Sequence, residues 1–140
     1  MKILLAVDGS KFTKHMLAYL AAHDELIGPE NHFSVMTVVT SLPHEVSHFI
    51  DRGTINGYYK EKADEVLNPV LAFAAQQGWT VNTIQTTGHA AEAISNAAKE
   101  GDFDLLVMGS HGHSTLGSLV LGSVVHGVMA RCKTPMLIIR

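Results

Sequence analysis

The chain has 140 residues, of which 46% are hydrophobic and 16% charged, and its formal net charge is −3. This length predicts one domain over residues 1–140 with an ordinary hydrophobic core, and the composition excludes disordered and fibrous proteins. The single Cys132 excludes an internal disulfide framework and a Cys-rich zinc site. The negative net charge disfavours nucleic acid and anionic membranes as partners, because no overall basic field attracts them. Without a leader-like or membrane-length apolar run, a soluble cytoplasmic protein is expected.

Strand and helix patterns alternate from the start of the chain. The continuous apolar run Ile3–Val7 predicts a strand buried on both faces of a parallel sheet. Ser10 is expected to N-cap a helix whose apolar residues recur at helical spacing as far as Gly28-Pro29. The β-branched and apolar stretch Phe33–Thr40 predicts the second strand.

The alternation continues through the second half. An apolar stripe predicts a helix from about residue 57 to Gln77, in which Pro69 is expected to introduce a kink. The later elements are predicted as a strand at Trp79–Gln85, a short helix from Ala93 to Gly101, a strand at Leu105–Met108, a helix around Val124–Met129 and a strand at Met136–Ile139. Strands alternating with helices predict an α/β fold, with one parallel sheet covered on both faces.

Chemically rich residues follow three predicted strands. Asp8 follows the first strand, Val38–Thr40 end the second, and Gly109 follows the fourth. In open α/β sheets, ligands bind beyond the carboxyl ends of the strands, so these residues predict a binding site.

The stretch after the fourth strand suits a phosphate group. It contains Gly109, Gly112 and Gly117, and the pair Gly122-Ser123 opens the last predicted helix. Glycines let the backbone approach an anion, and a helix N-terminus offers unpaired N–H groups with the positive dipole end. Glycines that serve turns only are the alternative. Neither a P-loop sequence nor a dinucleotide-binding G-x-G-x-x-G after the first strand is present.

These residues make the chain resemble the universal stress protein family over essentially its whole length. ATP-binding members of that family carry G-x₂-G-x₉-G-[ST] after the fourth strand, which Gly109, Gly112, Gly122 and Ser123 match here. The segments ILLAVDGS, LLVMGSHG and TPMLIIR are also similar to the family. The resemblance implies an open five-stranded parallel sheet of order 3-2-1-4-5, Rossmann-like and of the adenine nucleotide alpha-hydrolase type.

The resemblance also implies a nucleotide site, with ATP as the ligand, ADP or AMP as alternatives, and Mg²⁺ accompanying the nucleotide. Asp8 would face the ribose and adenine region, the backbone near Val38 would meet the adenine edge, and Met108 would lie close by. The residues implied to hold ribose and phosphates are Gly109, Gly112, Gly122, Ser123 and the N–H of Val124.

Family members often dimerise by antiparallel pairing of the last strand. The resemblance therefore implies a homodimer through Met136–Ile139. Such pairing would cover an apolar strand that otherwise lies at an exposed edge.

The loop departs from the family pattern at His111 and His113, where other members often carry arginines. Protonated imidazole attracts phosphate better than neutral imidazole. One hypothesis is therefore that nucleotide affinity rises as the pH falls through the range in which histidine gains its charge. The alternative is that both rings are solvated and only the backbone binds phosphate. The same two histidines are a weak candidate for metal binding.

The stretch His44–His48 reads H-E-x-x-H, the signature of zinc metalloproteases. That chemistry requires a well-formed helix and a further ligand. The longer form of the motif fails, because Asp51 and Thr54 stand where glycine and the third histidine are needed. Pro43 would suit the start of a short helical turn at residues 44–50. A zinc protease is disfavoured, and adventitious metal binding by His44 and His48 is the stronger interpretation.

Three functions are compatible with the sequence. The favoured one is a nucleotide-binding stress-response module, regulatory or signalling, without efficient catalysis. A slow Mg-dependent ATPase is the second, and the absence of Lys or Arg from the glycine loop disfavours fast phosphoryl transfer. A dimeric scaffold that needs no nucleotide is the third. Asp8 is disfavoured as a catalytic base, because a lone carboxylate at a strand end more often positions a ribose hydroxyl or caps a helix. Ser10 is disfavoured as a nucleophile, since no G-x-S-x-G surrounds it.

Overall fold

Five parallel strands form one sheet in the structure, a computed structural model that describes residues 1–113 and 120–140. The strands are β1 (Lys2–Ala6), β2 (His32–Val39), β3 (Val81–Thr87), β4 (Leu105–Gly109) and β5 (Met136–Ile139). Their order is β3-β2-β1-β4-β5, and every neighbouring pair is parallel. The predicted α/β fold and the strand order implied by the family resemblance are confirmed.

Helices cover both faces of the sheet. They are α1 (Lys11–Ala22), α2 (His44–Ser47), α3 (Arg52–Gln76), α4 (Ala90–Glu100) and α5 (Ser123–Arg131). Along β1, Ile3 and Leu5 pack in the cluster that contains α1 and α3, whereas Leu4 packs in the cluster that contains α4 and α5. Both faces are therefore buried, which explains why β1 is a continuous apolar run. No helix in the described ranges is long and apolar enough to cross a membrane.

Several predicted boundaries were wrong because tertiary contacts or caps decided them. The first helix ends at Ala22 rather than at Gly28, and the turns that follow place Ile27 in the core while Leu26 is 67% exposed. The strand predicted from Trp79 begins at Val81, because the Trp79 ring packs against Phe33 at a centroid distance of 4.9 Å. The fourth helix begins at Ala90, before the predicted Ala93.

The third helix begins at Arg52 rather than near residue 57. Asp51 is its N-cap, and the Asp51 side chain accepts a hydrogen bond from the Thr54 N–H at 2.6 Å. Hydrogen bonds from the backbone and side chain of Thr54 lower the pKa of the Asp51 carboxyl below its usual value. The helix then continues through Pro69.

The last helix buries only part of its apolar residues. Val125 and Val128 are buried, but Met129 is 56% exposed. The apolar spacing therefore overestimated how much of α5 packs against the sheet.

Candidate ligand-binding cleft

A cleft of about 490 Å³ lies at the carboxyl ends of β1, β2 and β4. Because β1 stands between β2 and β4, the chain leaves β1 at the point where the strand order reverses, which is where open α/β sheets form a crevice. A groove of about 570 Å³ lies along α3, but it lines the surface of one helix and contains none of the predicted site residues.

Every residue predicted to hold a nucleotide lines this cleft. The strand ends and the start of α5 contribute Asp8, Val38, Met108, Gly109, His111, Gly112, His113, Gly122, Ser123 and Val124. Residues far apart in sequence therefore meet in one place. Their role in binding a nucleotide stays a prediction.

Asp8 is held in a fixed orientation at the centre of the cleft. Its Oδ1 accepts hydrogen bonds from the Ser10 N–H at 2.9 Å and from the Thr13 hydroxyl at 3.0 Å. The Thr13 oxygen in turn accepts the Asp8 N–H at 3.1 Å. The other carboxylate oxygen lies against Gly112, where an added Cβ would stand 2.5 Å from it. Asp8 thus presents one oxygen to the glycine loop while Thr13 fixes the other.

Ser10 occupies the N-cap position of α1, but its hydroxyl makes no capping hydrogen bond. Its Oγ is buried with no hydrogen-bond partner among the described residues. The predicted side-chain cap was therefore wrong, because Asp8 and Thr13 bind each other across the helix start.

The start of α5 presents to the cleft backbone donors that lie outside the helical hydrogen-bond ladder. The Gly122 N–H donates to the Ser110 carbonyl at 2.7 Å, and the first helical hydrogen bond runs from the His126 N–H to the Gly122 carbonyl at 3.1 Å. The N–H groups of residues 123–125 therefore precede the helical ladder and have no acceptor within it. Residues 123–125 all line the cleft, so this end of it suits an anion.

Two of the motif glycines also have a packing reason. A Cβ on Gly109 would lie 2.8 Å from the Phe12 Cβ and 3.2 Å from the Phe12 carbonyl oxygen, so β4 and the start of α1 require glycine there. A Cβ on Gly122 would lie 3.2 Å from the His111 Cα and from the Ser110 carbonyl oxygen. These approaches support the alternative interpretation, that glycines serve the turns, alongside phosphate binding. Gly117 lies outside the described residues.

The opposite end of the cleft presents a backbone donor and acceptor at Val38. The last described rung between β1 and the end of β2 is the Val7 N–H donating to the Met36 carbonyl at 2.9 Å. On the other side of β2, the Gly88 N–H donates to the Val39 carbonyl at 3.0 Å. Successive residues of a strand direct their backbone groups to opposite neighbouring strands, so Val38 directs its N–H and C=O to the β1 side, as Met36 does. These groups lie past the last described hydrogen bond between β1 and β2.

The two loop histidines contact different groups. His113 Nε2 lies 2.7 Å from the Asp8 carbonyl oxygen, so that nitrogen must carry a hydrogen and donate it. His111 Nδ1 lies 2.9 Å from the Ser110 hydroxyl, and its ring packs against Phe12 at a centroid distance of 5.1 Å. Within residues 1–113 and 120–140, no three metal-ligating side chains converge. A metal site at these two histidines therefore has no third ligand in the described structure.

Helix α3 also contributes to the cleft, which the sequence patterns did not predict. Lys62, Glu65 and Val66 line the cleft beside the end of β2. The Lys62 Nζ lies 3.5 Å from the Glu65 Oε2, an i,i+3 pair on the helix surface. The helical spacing placed Val66 in an apolar stripe, but only the packing of α3 against the sheet brings its polar neighbours to the cleft. Thr13, which supports Asp8 from the first turn of α1, was also missed, because its spacing from Asp8 does not by itself indicate a contact.

The H-E-x-x-H stretch forms the predicted short helical turn, with α2 at His44–Ser47. The rings of His44 and His48 lie 4.7 Å apart, edge to face, and both side chains are exposed. Neither residue lines the cleft, and no third ligand joins them in the described parts of the chain. The helix of four residues lacks the framework of a zinc protease.

Comparison with known proteins supports the resemblance. The model of the universal stress protein family matches residues 1–140. The universal stress protein YxiE of Bacillus subtilis is 33% identical over 147 residues, an alignment that covers 99% of this chain and 98% of that protein.

Solved structures show the same fold. The universal stress protein UspA from Lactobacillus plantarum superposes with a TM-score of 0.78 at 17% identity, covering 100% of this chain and 97% of that one. A family member from Arabidopsis thaliana with AMP bound gives a TM-score of 0.70 at 18% identity, covering 99% and 90%. A universal stress protein in complex with cAMP gives 0.71 at 21% identity, covering 100% and 97%. The chain belongs to the universal stress protein family.

Proposed function

We propose that this chain binds an adenine nucleotide, with ATP and its Mg²⁺ as the first ligand to test, and acts as a regulatory or signalling module in a stress response. The observation that carries the proposal is the pairing of two complementary ends in one cleft. Backbone N–H groups at the start of α5 suit phosphates, and the N–H and C=O of Val38 suit a base edge. Structural neighbours that hold AMP and cAMP support an adenine nucleotide.

The strand order supports one orientation of the ligand. The phosphate-binding end follows β4, Asp8 follows the central β1, and Val38 ends β2 on the far side. A nucleotide would therefore lie across the sheet edge with its ribose near Asp8. Adenine offers an amino donor beside a ring acceptor, which matches the acceptor and donor of one extended residue.

Mg²⁺ fits this arrangement as a companion of the phosphates. Magnesium in nucleotide sites keeps several waters and takes one or two protein carboxylates, so a cluster of acidic residues is not required. The Asp8 oxygen beside Gly112 is the carboxylate that faces the glycine loop. When bound, the ion would neutralise phosphate charge.

The cleft offers little for rapid phosphoryl transfer. Such transfer requires charge neutralisation and an oriented attacking group. The stretch from Gly109 to Val125 contains neither Lys nor Arg, and the lysine that lines the cleft, Lys62, is paired with Glu65 on α3. Hydrolysis is therefore expected to be slow at most, and turnover with an Asp8→Ala control separates an ATPase from a binding module.

A homodimer through β5 is part of the proposal. β5 is an edge of the sheet, and its sequence Met-Leu-Ile-Ile is apolar. The other edge, β3, is rich in Thr, Asn and Gln. An apolar edge with unpaired backbone groups favours pairing with another strand, so light scattering should give twice the chain mass. A variant with Leu137→Lys should be monomeric, and a monomeric wild type would contradict this part.

The binding test is calorimetric titration of ATP with Mg²⁺ into nucleotide-stripped protein at pH 6 and pH 7.5. We expect saturable binding near one site per chain, and loss of binding in Gly122→Val, whose side chain would crowd His111 and Ser110. An absence of heat at both pH values and at a second temperature would overturn the proposal and favour the scaffold.

A further inference from the structure

The charges that line the cleft are unevenly placed. The acids are Asp8 and Glu65, the lysine is Lys62, and the two imidazoles are His111 and His113. The sequence of residues 109–125, including the part outside the described ranges, contains no other charged or titratable side chain. With both imidazoles neutral, the phosphate end relies on backbone and hydroxyl donors and on the partial charge of the α5 dipole.

Lys62 does not supply the positive charge that the phosphate end of the cleft lacks. It belongs to α3, which packs against β2 and β3, so it lies toward the base end of the cleft. Its ammonium is 3.5 Å from the Glu65 carboxylate and lies over the Tyr58 ring at 5.8 Å. The pair carries no net charge, and exposed charges act weakly beyond about 10 Å at 0.1 M salt.

The fixed charge nearest the glycine loop is instead negative. The Asp8 carboxylate lies so close to Gly112 that an added Cβ would stand 2.5 Å from its Oδ2. A monophosphate carries about −1.5 to −2 charges at pH 7, and each further phosphoryl group adds to this. Repulsion from Asp8 therefore rises with the number of phosphates.

We propose that the cleft selects adenine nucleotides by charge, binding AMP more tightly than metal-free ATP near neutral pH, and that protonation of His111 and His113 closes this gap. The inference rests on the proposed function, since it concerns the same site.

The described hydrogen-bond contact of each imidazole is compatible with a protonated ring. His113 donates from Nε2 to the Asp8 carbonyl, so the added proton goes to Nδ1. His111 can donate from Nδ1 to the Ser110 hydroxyl, which also accepts. Protonation would place positive charge at the loop that faces the phosphates.

The charged and titratable groups around these rings come from every neighbouring element. Asp8, which follows β1, accepts a hydrogen bond from His113 through its carbonyl oxygen. Lys11 of α1 lies 5.2 Å over the Phe12 ring that packs on His111. His126 of α5 contacts the Gly122 carbonyl, and Lys62 with Glu65 lies on α3 toward the base end of the cleft.

The experiment measures dissociation constants of adenosine, AMP and ATP in EDTA at low salt, at pH 7.5 and pH 5.5. At pH 7.5 we expect AMP to bind roughly fivefold or more tightly than ATP. The ratio of the two dissociation constants should be smaller at pH 5.5. Adenosine affinity should change little. The double variant His111→Asn, His113→Asn is the matched control, because the phosphates of the ligands titrate in the same way with both proteins. In this variant the ratio of the ATP and AMP dissociation constants should change less with pH.

Each outcome decides a separate point. ATP bound as tightly as AMP at pH 7.5 without metal overturns selection by charge. An equal pH response in the double variant overturns the role of the histidines, and the single variant His113→Asn repeats this test if the double variant does not fold. Failure of all three ligands to bind overturns the proposed function itself, and the inference with it.

Discussion

His111 and His113 lie in the cleft at the carboxyl edge of the sheet, whereas His44 and His48 lie on an exposed turn outside it. The second pair carries the stronger sequence signature, and the first pair matches no catalytic motif. The structure reverses that ranking, because the first pair lines a cleft with residues from the ends of β1 and β4 and the start of α5. The second pair lies outside this cleft and gains no third ligand from the described residues. Convergence of several chain segments, rather than spacing within one, makes a site.

The largest effect should come from filling the closest approach in the cleft region. Gly109→Ala would place a Cβ 2.8 Å from the Phe12 Cβ and close to its backbone, displacing the start of α1 and hence Asp8. We expect a loss of about 1–3 kcal/mol in the free energy of unfolding, and weaker nucleotide binding.

The matched control is the same change in the region after the second strand. Gly57 lies inside α3, and an added Cβ would meet nothing within 4 Å. Gly57→Ala should therefore stabilise the chain, by about 0.5–1 kcal/mol, through helix propensity. Denaturant unfolding measures both variants, and equal effects would contradict the packing role of Gly109.

Thr13→Val should disturb the orientation of Asp8 without changing the shape of the side chain at position 13. The Asp8 N–H would lose its acceptor and Oδ1 would keep only the Ser10 N–H. An unsatisfied donor costs about 1–3 kcal/mol, so affinity and stability should both fall. Thr80→Val, at an exposed position, is the isosteric control for titration and unfolding. Equal affinities in the two variants would show that Thr13 does not position Asp8.

Asp51→Asn tests the cap that follows the second histidine pair. Hydrogen bonds from Thr54 lower the folded-state pKa of Asp51. The stabilisation they give is present above the unfolded pKa, near 3.9, and is lost as the pH falls through the lowered value. Wild type should be slightly more stable than the variant at pH 7, and the difference should vanish at strongly acidic pH. A difference that grows on acidification would contradict the assignment.

The smallest effect is expected at the histidine pair outside the cleft. The double variant His44→Ala, His48→Ala should leave nucleotide affinity unchanged, since neither side chain lines the cleft. Wild type should show no zinc-dependent peptidase activity, and any zinc bound by it should be lost in the variant. Peptide hydrolysis that requires zinc and both histidines would contradict the conclusion that His44 and His48 form no catalytic site.

Much of the fold was predictable because its signals are local. The buried strands β1, β2 and β4 are apolar runs, and Gly122-Ser123 marks the start of α5. Cap and packing choices were less readable. Asp51 begins α3 among residues without apolar periodicity, and Trp79 leaves the strand pattern to stack on Phe33. Both depend on contacts that spacing does not encode.

The sequence by itself determined the alternation of strands and helices, the glycine motif and the resemblance to the universal stress protein family. The alternation follows from the periodicity of apolar residues, and the motif and the resemblance follow from the identity and spacing of a few residues. The tertiary structure alone decided that Thr13 fixes Asp8, that Lys62 is paired with Glu65 beside the cleft, and that Val38 turns its backbone groups past the last rung of β1. The contacts of Thr13 and Lys62 join residues three to five positions apart, but the orientation of their side chains decides them. The position of Val38 depends on the register between β1 and β2.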